Sequence, residues 1–206
     1  MATPNPHAYW EKVYAEKDED DLSWTQRTPV SSTPMIHRCG LSAADPIVDV
    51  GGGTSRLSNE LRGLGYRDIT VLDISEQALA RTRERLGDRA NEIEWIARDV
   101  TAWQPTRTYK LWHDRAVFHF LTDAEHRQSY LDALHAGVAA DGFFIVATFA
   151  PDGPERCSGL PVQRYGAEDF AALLGENWVL EEAEREEHVT PGGRVQPFTW
   201  CRFRRA

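Results

Sequence analysis

Residues 46–73 read PIVDVGGGTSRLSNELRGLGYRDITVLD and decide the fold. A short apolar run leads into a glycine triplet at residues 51–53, which predicts a buried strand followed by a tight turn. Leu57, Leu61 and Leu64 then recur at i, i+4 and i+7, the spacing of one helix face, and the glycine after them predicts the end of that helix. A second apolar run predicts another strand. A strand, a helix and a strand in this order form a βαβ unit, so we expect the two strands to be parallel.

The same alternation continues along the chain. Three more strands are predicted, over residues 93–97, 109–113 and 142–150. Ser75 predicts the cap of the helix after the second strand, and Thr122 with Glu125 predicts a capping box for the helix after the fourth. The tail differs, because the runs at 178–188 and 197–203 flank a Pro-Gly-Gly turn. The sequence therefore predicts an α/β fold: a doubly wound, mostly parallel seven-stranded sheet with helices on both faces and a C-terminal antiparallel hairpin edge.

Composition and charge limit the classes of function. The chain has 206 residues, of which 41% are hydrophobic and 10% aromatic, enough for a single core and too many for a disordered chain. The net charge of −9 argues against a nucleic acid partner. The longest apolar stretch, at 143–150, is too short to span a membrane, and the N-terminus lacks the features of a signal peptide. With three cysteines in no metal-binding pattern, we expect a cytoplasmic protein without a metal site.

Unusual residues follow three successive strands. Glycines follow the first, Asp73 ends the second and Asp99 lies at the end of the third. In a doubly wound sheet, ligands bind outside the carboxyl ends of the strands, where a carboxylate can accept from ribose hydroxyls. The dinucleotide fingerprint needs a third glycine, but position 56 is Arg, and the P-loop pattern is absent. A nucleoside ligand without a pyrophosphate, such as S-adenosylmethionine, is therefore favoured over NAD.

The run IVDVGGGTSRLSNELRGLGYRDITVLDIS, with ARDV at residues 97–100, resembles the first three motifs of the class I S-adenosylmethionine-dependent methyltransferases. The resemblance covers roughly residues 45–150 and implies that S-adenosyl-L-methionine is the cofactor. The contacts it implies are Gly51 and Gly53 for the methionine moiety, Asp73 for the ribose, and Ile74, Asp99 and Val100 for the adenine.

The N-terminal sequences AYWEKVY and SWTQ resemble the branch of this family that contains lysine methyltransferase-like proteins. The resemblance implies a lid of Trp10, Tyr14 and Trp24 over the cofactor, and a charged residue, Arg115, beside it. Aromatic faces stabilise a sulfonium cation, although these rings also fit plain packing of a helix on the core. We expect one methyltransferase domain over residues 1–206. Its expected parts are lid helices (1–45), a cofactor-binding core (46–150), a substrate loop (151–166), and a C-terminal helix and hairpin (167–206).

The end of the fourth strand is the first place to look for catalytic residues. Residues 112–121 read WHDRAVFHFL, without the Asn/Asp-Pro-Pro-Tyr pattern of enzymes that methylate nucleic acid bases. We predict that His119 or His113 takes a proton from the acceptor and that Asp114 or Arg115 orients it. The alternatives are that Asp114 caps the next turn and that His119 is a hydrogen-bonded core histidine.

A long loop after the fifth strand is the second place to look. Loops of this length inside a compact domain commonly serve as lids or binding elements. We predict substrate contacts from Arg156, Cys157, Arg164 and Tyr165, where the arginines suit an anionic acceptor and the thiol a soft one. The alternatives are surface ion pairs for the arginines and a buried apolar role for the cysteine.

The sequence thus predicts a methyltransferase acting on a small molecule, with a thiol, another chalcogen nucleophile or a carboxylate as candidate acceptors. One alternative is methylation of a protein lysine, because the acidic segment EEAEREE at 181–187 can attract a basic partner. Another is a protein that binds the cofactor without turnover. The oligomeric state is left open.

Overall fold

A computed structural model describes residues 5–206, so the first four residues of the predicted lid segment lie outside the described part. The strands are β1 (Ile47–Val50), β2 (Ile69–Asp73), β3 (Glu94–Ala97), β4 (Tyr109–Arg115), β5 (Val138–Phe149), β6 (Arg156–Cys157), β7 (Leu160–Pro161), β8 (Trp178–Val189) and β9 (Val195–Arg205). The α-helices are α1 (Pro6–Glu16), α2 (Ser32–His37), α3 (Leu57–Gly63), α4 (Glu76–Leu86), α5 (Ala124–Gly137) and α6 (Ala167–Leu174).

Seven strands form one sheet in the order β3-β2-β1-β4-β5-β9-β8. The first five strands pair in parallel, whereas β9 runs antiparallel to both β5 and β8. The predicted fold class is confirmed, including the reversed edge. The strand order changes direction between β1 and β4, so the carboxyl ends of these two central strands flank the crevice where this architecture binds ligands.

Helices cover both faces of the sheet. Leu57 and Leu61 of α3 are buried on one face with the side chains of α2, and Leu134 of α5 and Phe170 of α6 are buried on the other. Side chains cap several of these helices, as when the Ser75 hydroxyl accepts from the Ala78 N–H at the start of α4. Apolar residues at helical spacing therefore predicted most of the helices correctly.

Three local predictions need correction. Leu64 is 55% exposed rather than part of the inner helix face, because α3 ends one residue before it. The cap of α5 is Asp123, whose carboxylate accepts from the His126 N–H at 2.9 Å, and not Thr122. The fourth strand extends to Arg115, so Asp114 and Arg115 lie within it rather than after it.

The predicted loop at 151–166 contains a small hairpin. Strands β6 and β7 pair around Ser158 and Gly159, which both have positive φ angles. The phenol of Tyr9 in α1 donates a hydrogen bond to the Ser158 carbonyl, so the N-terminal helix and the hairpin meet above the sheet. Within residues 5–206, no helix is both long and apolar enough to cross a membrane.

Candidate active site

A cavity of about 280 Å³ lies at the carboxyl ends of the central strands, beneath α1 and the β6–β7 hairpin. Its volume is near the lower end of the roughly 300–1,000 Å³ that small-molecule sites enclose. Apolar and aromatic side chains form most of its wall, and Asp73, Asp99 and Arg115 supply charge. A site of this kind binds one organic ligand through a few fixed polar contacts.

Gly51 of the glycine turn lines the cavity, whereas Gly53, the other glycine predicted to contact the cofactor, is not among the described residues of the cavity wall. Gly51 has a φ of +67°, and a Cβ atom there would lie 2.0 Å from the Val117 side chain. Gly53 has a φ of +28°, and a Cβ atom there would lie 2.7 Å from Asp73 Oδ2 and 3.2 Å from the Tyr14 hydroxyl. Both positions therefore require glycine on steric and conformational grounds, and the absent side chain of Gly51 leaves its backbone facing the cavity.

Asp73 lies at the end of β2 and is almost completely buried. Its Oδ1 accepts from the Ser75 N–H at 2.8 Å. Burial is the main reason why the pKa of Asp73 rises from its ordinary value of 3.8 to about 7, and the negative charges of Asp49 and Glu11 add to the rise. A buried carboxyl group with a raised pKa is suited to a ligand that supplies hydrogen-bond donors, such as a diol.

The segment after β3 forms another part of the wall. Asp99 Oδ1 accepts from both the backbone N–H and the hydroxyl of Thr101, which fixes a short 3₁₀ turn. Asp99, Val100 and Thr101 line the cavity together with Ile74, which follows β2. The arrangement combines apolar surface with a carboxylate edge, and both suit a flat heteroaromatic ring.

Aromatic side chains from the N-terminal segment cover the cavity. The Trp10 ring lies 5.1 Å from Phe120 and 5.7 Å from Trp24, both edge-on. Tyr14 and Trp24 also contact each other, at 6.2 Å between ring centroids. These distances are typical of favourable aromatic pairs, so the rings hold one another in place as well as lining the cavity.

A second, smaller recess of about 50 Å³ adjoins the glycine turn on the side of α2. The His113 ring connects two buried groups there, with Nδ1 2.8 Å from Asp49 Oδ1 and Nε2 3.0 Å from the Ser32 hydroxyl. Within the described residues, Asp49 Oδ2 has no hydrogen-bond partner. Two nitrogens of Arg115, Nε and one terminal nitrogen, also have no hydrogen-bond partner among these residues. The other terminal nitrogen of Arg115 donates to the Trp24 carbonyl at 2.8 Å. The recess therefore offers one buried acceptor and two buried donors.

The structure does not bring the predicted catalytic residues together. His119 lies among aromatic rings and is not among the described residues that line the cavity. Burial lowers the pKa of His119 to about 3, and the positive charge of Arg115 contributes to the decrease. Asp114 accepts from the Val117 N–H and the Tyr130 hydroxyl, and burial raises its pKa to about 6. These contacts match the alternatives of a core histidine and a turn cap. His113 lines the small recess instead.

The predicted substrate residues are likewise divided. Cys157 lines the cavity, and burial raises the pKa of its thiol to about 11. Arg156 and Arg164 donate to carbonyl groups of their own loop. The Tyr165 ring is buried 5.3 Å from that of Phe118. Among the described residues, these last three do not contribute to the cavity wall.

Several residues of the cavity wall were not predicted from the sequence. They come from the N-terminal helix, the turn before α5, the first turn of α5 and the hairpin, namely Pro6, Tyr9, Phe120, Leu121, Thr122, Asp123, His126, Leu160 and Pro161. The aromatic character of Tyr9 and Phe120, next to Trp10 and His119, was the available signal. The hairpin residues carried none, because their position depends on contacts with a distant helix.

Comparison with known proteins agrees with this geometry. Residues 47–142 match the family model described as a methyltransferase domain. Nodulation protein S of Bradyrhizobium diazoefficiens is 27% identical, in a match that covers 98% of this chain and 93% of that protein. The eEF1A lysine and N-terminal methyltransferase of Mus musculus is 29% identical over 57% of this chain, and the match spans 17% of the length of that relative.

A solved structure has the same fold. The N-methyltransferase NodS from Bradyrhizobium japonicum WM9, determined with S-adenosyl-L-homocysteine, aligns with a TM-score of 0.72 at 18% identity. The alignment covers 98% of this chain and 99% of that one. The residues that match the methyltransferase domain model, 47–142, are those that carry the glycine turn and the strand-end carboxylates, so this segment is similar to methyltransferases in sequence and the whole chain is similar to them in fold.

Proposed function

We propose that the cavity and the adjoining recess hold S-adenosyl-L-methionine in one orientation. Asp73 accepts from the ribose hydroxyls, since its buried carboxyl group lines the cavity together with the backbone of Gly51. The adenine lies against Ile74 and Val100 with its amino edge towards Asp99. These side chains follow adjacent strands, so one extended nucleoside contacts them all.

The recess fits the amino-acid end of the same cofactor. Asp49 Oδ2 is a buried acceptor without a partner in the described residues, and an ammonium group is the donor that satisfies it best. Two nitrogens of Arg115 are buried donors with no partner in residues 5–206, and a carboxylate is their natural counterpart. Opposite charges for both ends of a zwitterion therefore lie beside one glycine turn.

The acceptor is proposed to be a small molecule with a thiol, another chalcogen nucleophile or a carboxylate. The observation that carries this proposal is the closure of the cavity by α1 and the hairpin, which meet through Tyr9 and the Ser158 carbonyl. Phe120, Leu160 and Cys157 form an apolar wall beneath that contact. Such a wall encloses a compact acceptor.

S-Adenosyl-L-methionine supplies a methyl group activated by a positively charged sulfur. The residues of this chain bind, align and enclose the reactants. The glycine turn and Asp73 fix the position of the cofactor, while the rings of Trp10 and Trp24 exclude water above it. Alignment of an in-line displacement and removal of water account for most of the catalysis that this reaction needs.

Methyl-labelled S-adenosylmethionine added to a cell extract tests the proposal. After ultrafiltration, label is followed into protein, filtrate and headspace, with Asp73→Ala as the inactive control. Label that depends on Asp73 in the filtrate or headspace is the expected result. Label confined to protein contradicts the small-molecule acceptor.

Methylation of a protein lysine is the second candidate. It is favoured by the similarity to the eEF1A lysine and N-terminal methyltransferase. Label confined to protein in the same experiment is its signature. A protein that binds S-adenosylhomocysteine tightly but labels no fraction fits the third reading, a non-catalytic binder.

A further inference from the structure

The small recess contains three buried polar groups, joined by hydrogen bonds, that connect the N-terminal segment to the glycine turn. Ser32 begins α2, His113 lies in β4 and Asp49 in β1, and their exposed fractions are 2%, 2% and 3%. Asp49 and His113 are neighbours in the parallel register of the two strands. These hydrogen bonds thus join the two central strands of the sheet to the helix that packs beside them.

The chemistry of the three groups fixes the direction of the hydrogen bonds. A carboxylate only accepts, so His113 Nδ1 donates to Asp49 Oδ1 at 2.8 Å. In the neutral ring, Nε2 then accepts from the Ser32 hydroxyl at 3.0 Å. With Nδ1 committed as a donor, the ring holds one oxygen of Asp49 in a fixed position.

The other oxygen of Asp49 is left for a ligand. Oδ2 is buried and without a partner in residues 5–206, and Asp49 lines the recess. A Cβ atom on Gly52 would come within 2.7 Å of Oδ2, so the glycine at this position keeps the oxygen uncovered. Burying a carboxylate oxygen without a hydrogen-bond donor lowers the stability of the protein. The orientation of Oδ2 is therefore fixed by the residues around it rather than by a bond of its own.

We propose that His113, anchored by Ser32, is a positioning residue that holds Asp49 so that Oδ2 receives the ammonium group of the cofactor. The inference rests on the proposed function, because it takes the recess as the place of the amino-acid end. It assigns His113 to cofactor binding rather than to proton transfer. It also couples α2 to the cofactor through one hydrogen bond.

Two ligands separate positioning from a merely structural role. S-Adenosylhomocysteine carries the amino-acid end, whereas 5′-methylthioadenosine keeps the adenosine and the thioether but lacks that end. Dissociation constants for both are measured by titration calorimetry on the full chain. His113→Leu removes both hydrogen bonds and is expected to weaken S-adenosylhomocysteine about tenfold, the effect of losing one well-oriented bond to a charged group. The affinity for 5′-methylthioadenosine is expected to stay unchanged.

Conservative variants and a matched control complete the test. His113→Asn places an amide N–H near the position of Nδ1 and is expected to restore S-adenosylhomocysteine affinity to within about threefold of wild type. Ser32→Ala keeps the ring but loses its anchor, so an intermediate, about threefold weakening is expected. Thr33→Ala removes the neighbouring buried hydroxyl, which has no partner in the described residues, and is expected to change neither constant.

If His113→Leu or Ser32→Ala lowered the affinity for both ligands equally, the hydrogen bonds among these side chains would only stabilise the fold, and the inference would be overturned. Unchanged affinity for S-adenosylhomocysteine in both variants would overturn it as well, while leaving the proposed cofactor site intact. If the wild-type protein bound neither ligand, the proposed function itself would fail, and this inference with it.

Discussion

Protonation of Asp73 provides a direct test of the cofactor site. The pKa of this buried carboxyl group is raised from 3.8 to about 7, mainly by burial and despite hydrogen bonds from the backbone of Ser75 and Gly53. At ~1.4 kcal/mol for each pKa unit, ionisation in the ligand-free fold costs about 4 kcal/mol. Ribose hydroxyls donate to the ionised form, so ligand binding offsets this cost only where the carboxylate is present.

The dissociation constant for S-adenosylhomocysteine should therefore rise as pH falls through about 7. If the protonated form does not bind, the constant at pH ~5.5 is about 30 times that at pH ~8.5, from the linkage relation. Asp73→Asn should bind about 30-fold more weakly at pH ~8.5, the loss expected for hydrogen bonds to a charged acceptor, and should show no such pH dependence. Titration calorimetry across this pH range measures both. A flat wild-type profile, or an Asn variant as tight as wild type, would refute the assignment of Asp73 to the ribose.

The same group makes a prediction for stability with the opposite sign. Because the folded-state pKa of Asp73 lies above its unfolded value, its contribution to the free energy of unfolding is highest below pH ~4 and is lost as pH rises to about 7. At pH ~8, ligand-free Asp73→Asn should be more stable than wild type towards urea. That margin should shrink as pH falls towards 5. This variant should thus be more stable but bind more weakly, as expected where a carboxyl group is buried for function at a cost in stability.

Three further predictions follow from single contacts. Gly51→Ala should lower the free energy of unfolding in urea by about 1–3 kcal/mol, because its Cβ would overlap Val117 at a φ of +67°. Tyr9→Phe should speed tryptic cleavage after Arg156 while changing the free energy of unfolding by less than about 1 kcal/mol, since it removes the bond to the Ser158 carbonyl that secures the hairpin. The three thiols, whose pKa values burial raises to about 11 or about 12, should react slowly with a disulfide reagent at pH ~8 and fully in urea.

The strand-end part of the cavity wall could be predicted from sequence because its determinants are local. Gly51, Asp73 and Asp99 each follow a short apolar run, and parallel strands bring their carboxyl ends to one edge whatever the rest of the chain does. The fold was predicted for the same reason, since the periodicity of each segment identified its type. Contacts that depend on one strand end and the next few residues need no knowledge of distant packing.

The direction of the side chains after β4 could not be predicted in this way. The strand continues two residues beyond its predicted end at His113, and Ala116 then takes a φ of 69° that turns the chain. Side chains alternate between faces along a strand, so its exact end decides which of the following residues point to the ligand. As a result, Phe120 lines the cavity while His119 is buried beneath it.

The part of the cavity wall formed by α1 and the β6–β7 hairpin could not be predicted either, because it joins distant parts of the sequence. Tyr9 and Ser158 are 149 residues apart, and both lie outside the segment 47–142 that matches the methyltransferase family. The shared segment supplies the glycine turn and the strand-end carboxylates, whereas α1 and the hairpin supply the part of the cavity wall that we propose faces the acceptor. Relatives with unlike acceptors can therefore share the segment 47–142. Exchanging the hairpin between such relatives, rather than changing a strand-end residue, is expected to alter the choice of acceptor while leaving the affinity for S-adenosylhomocysteine unchanged.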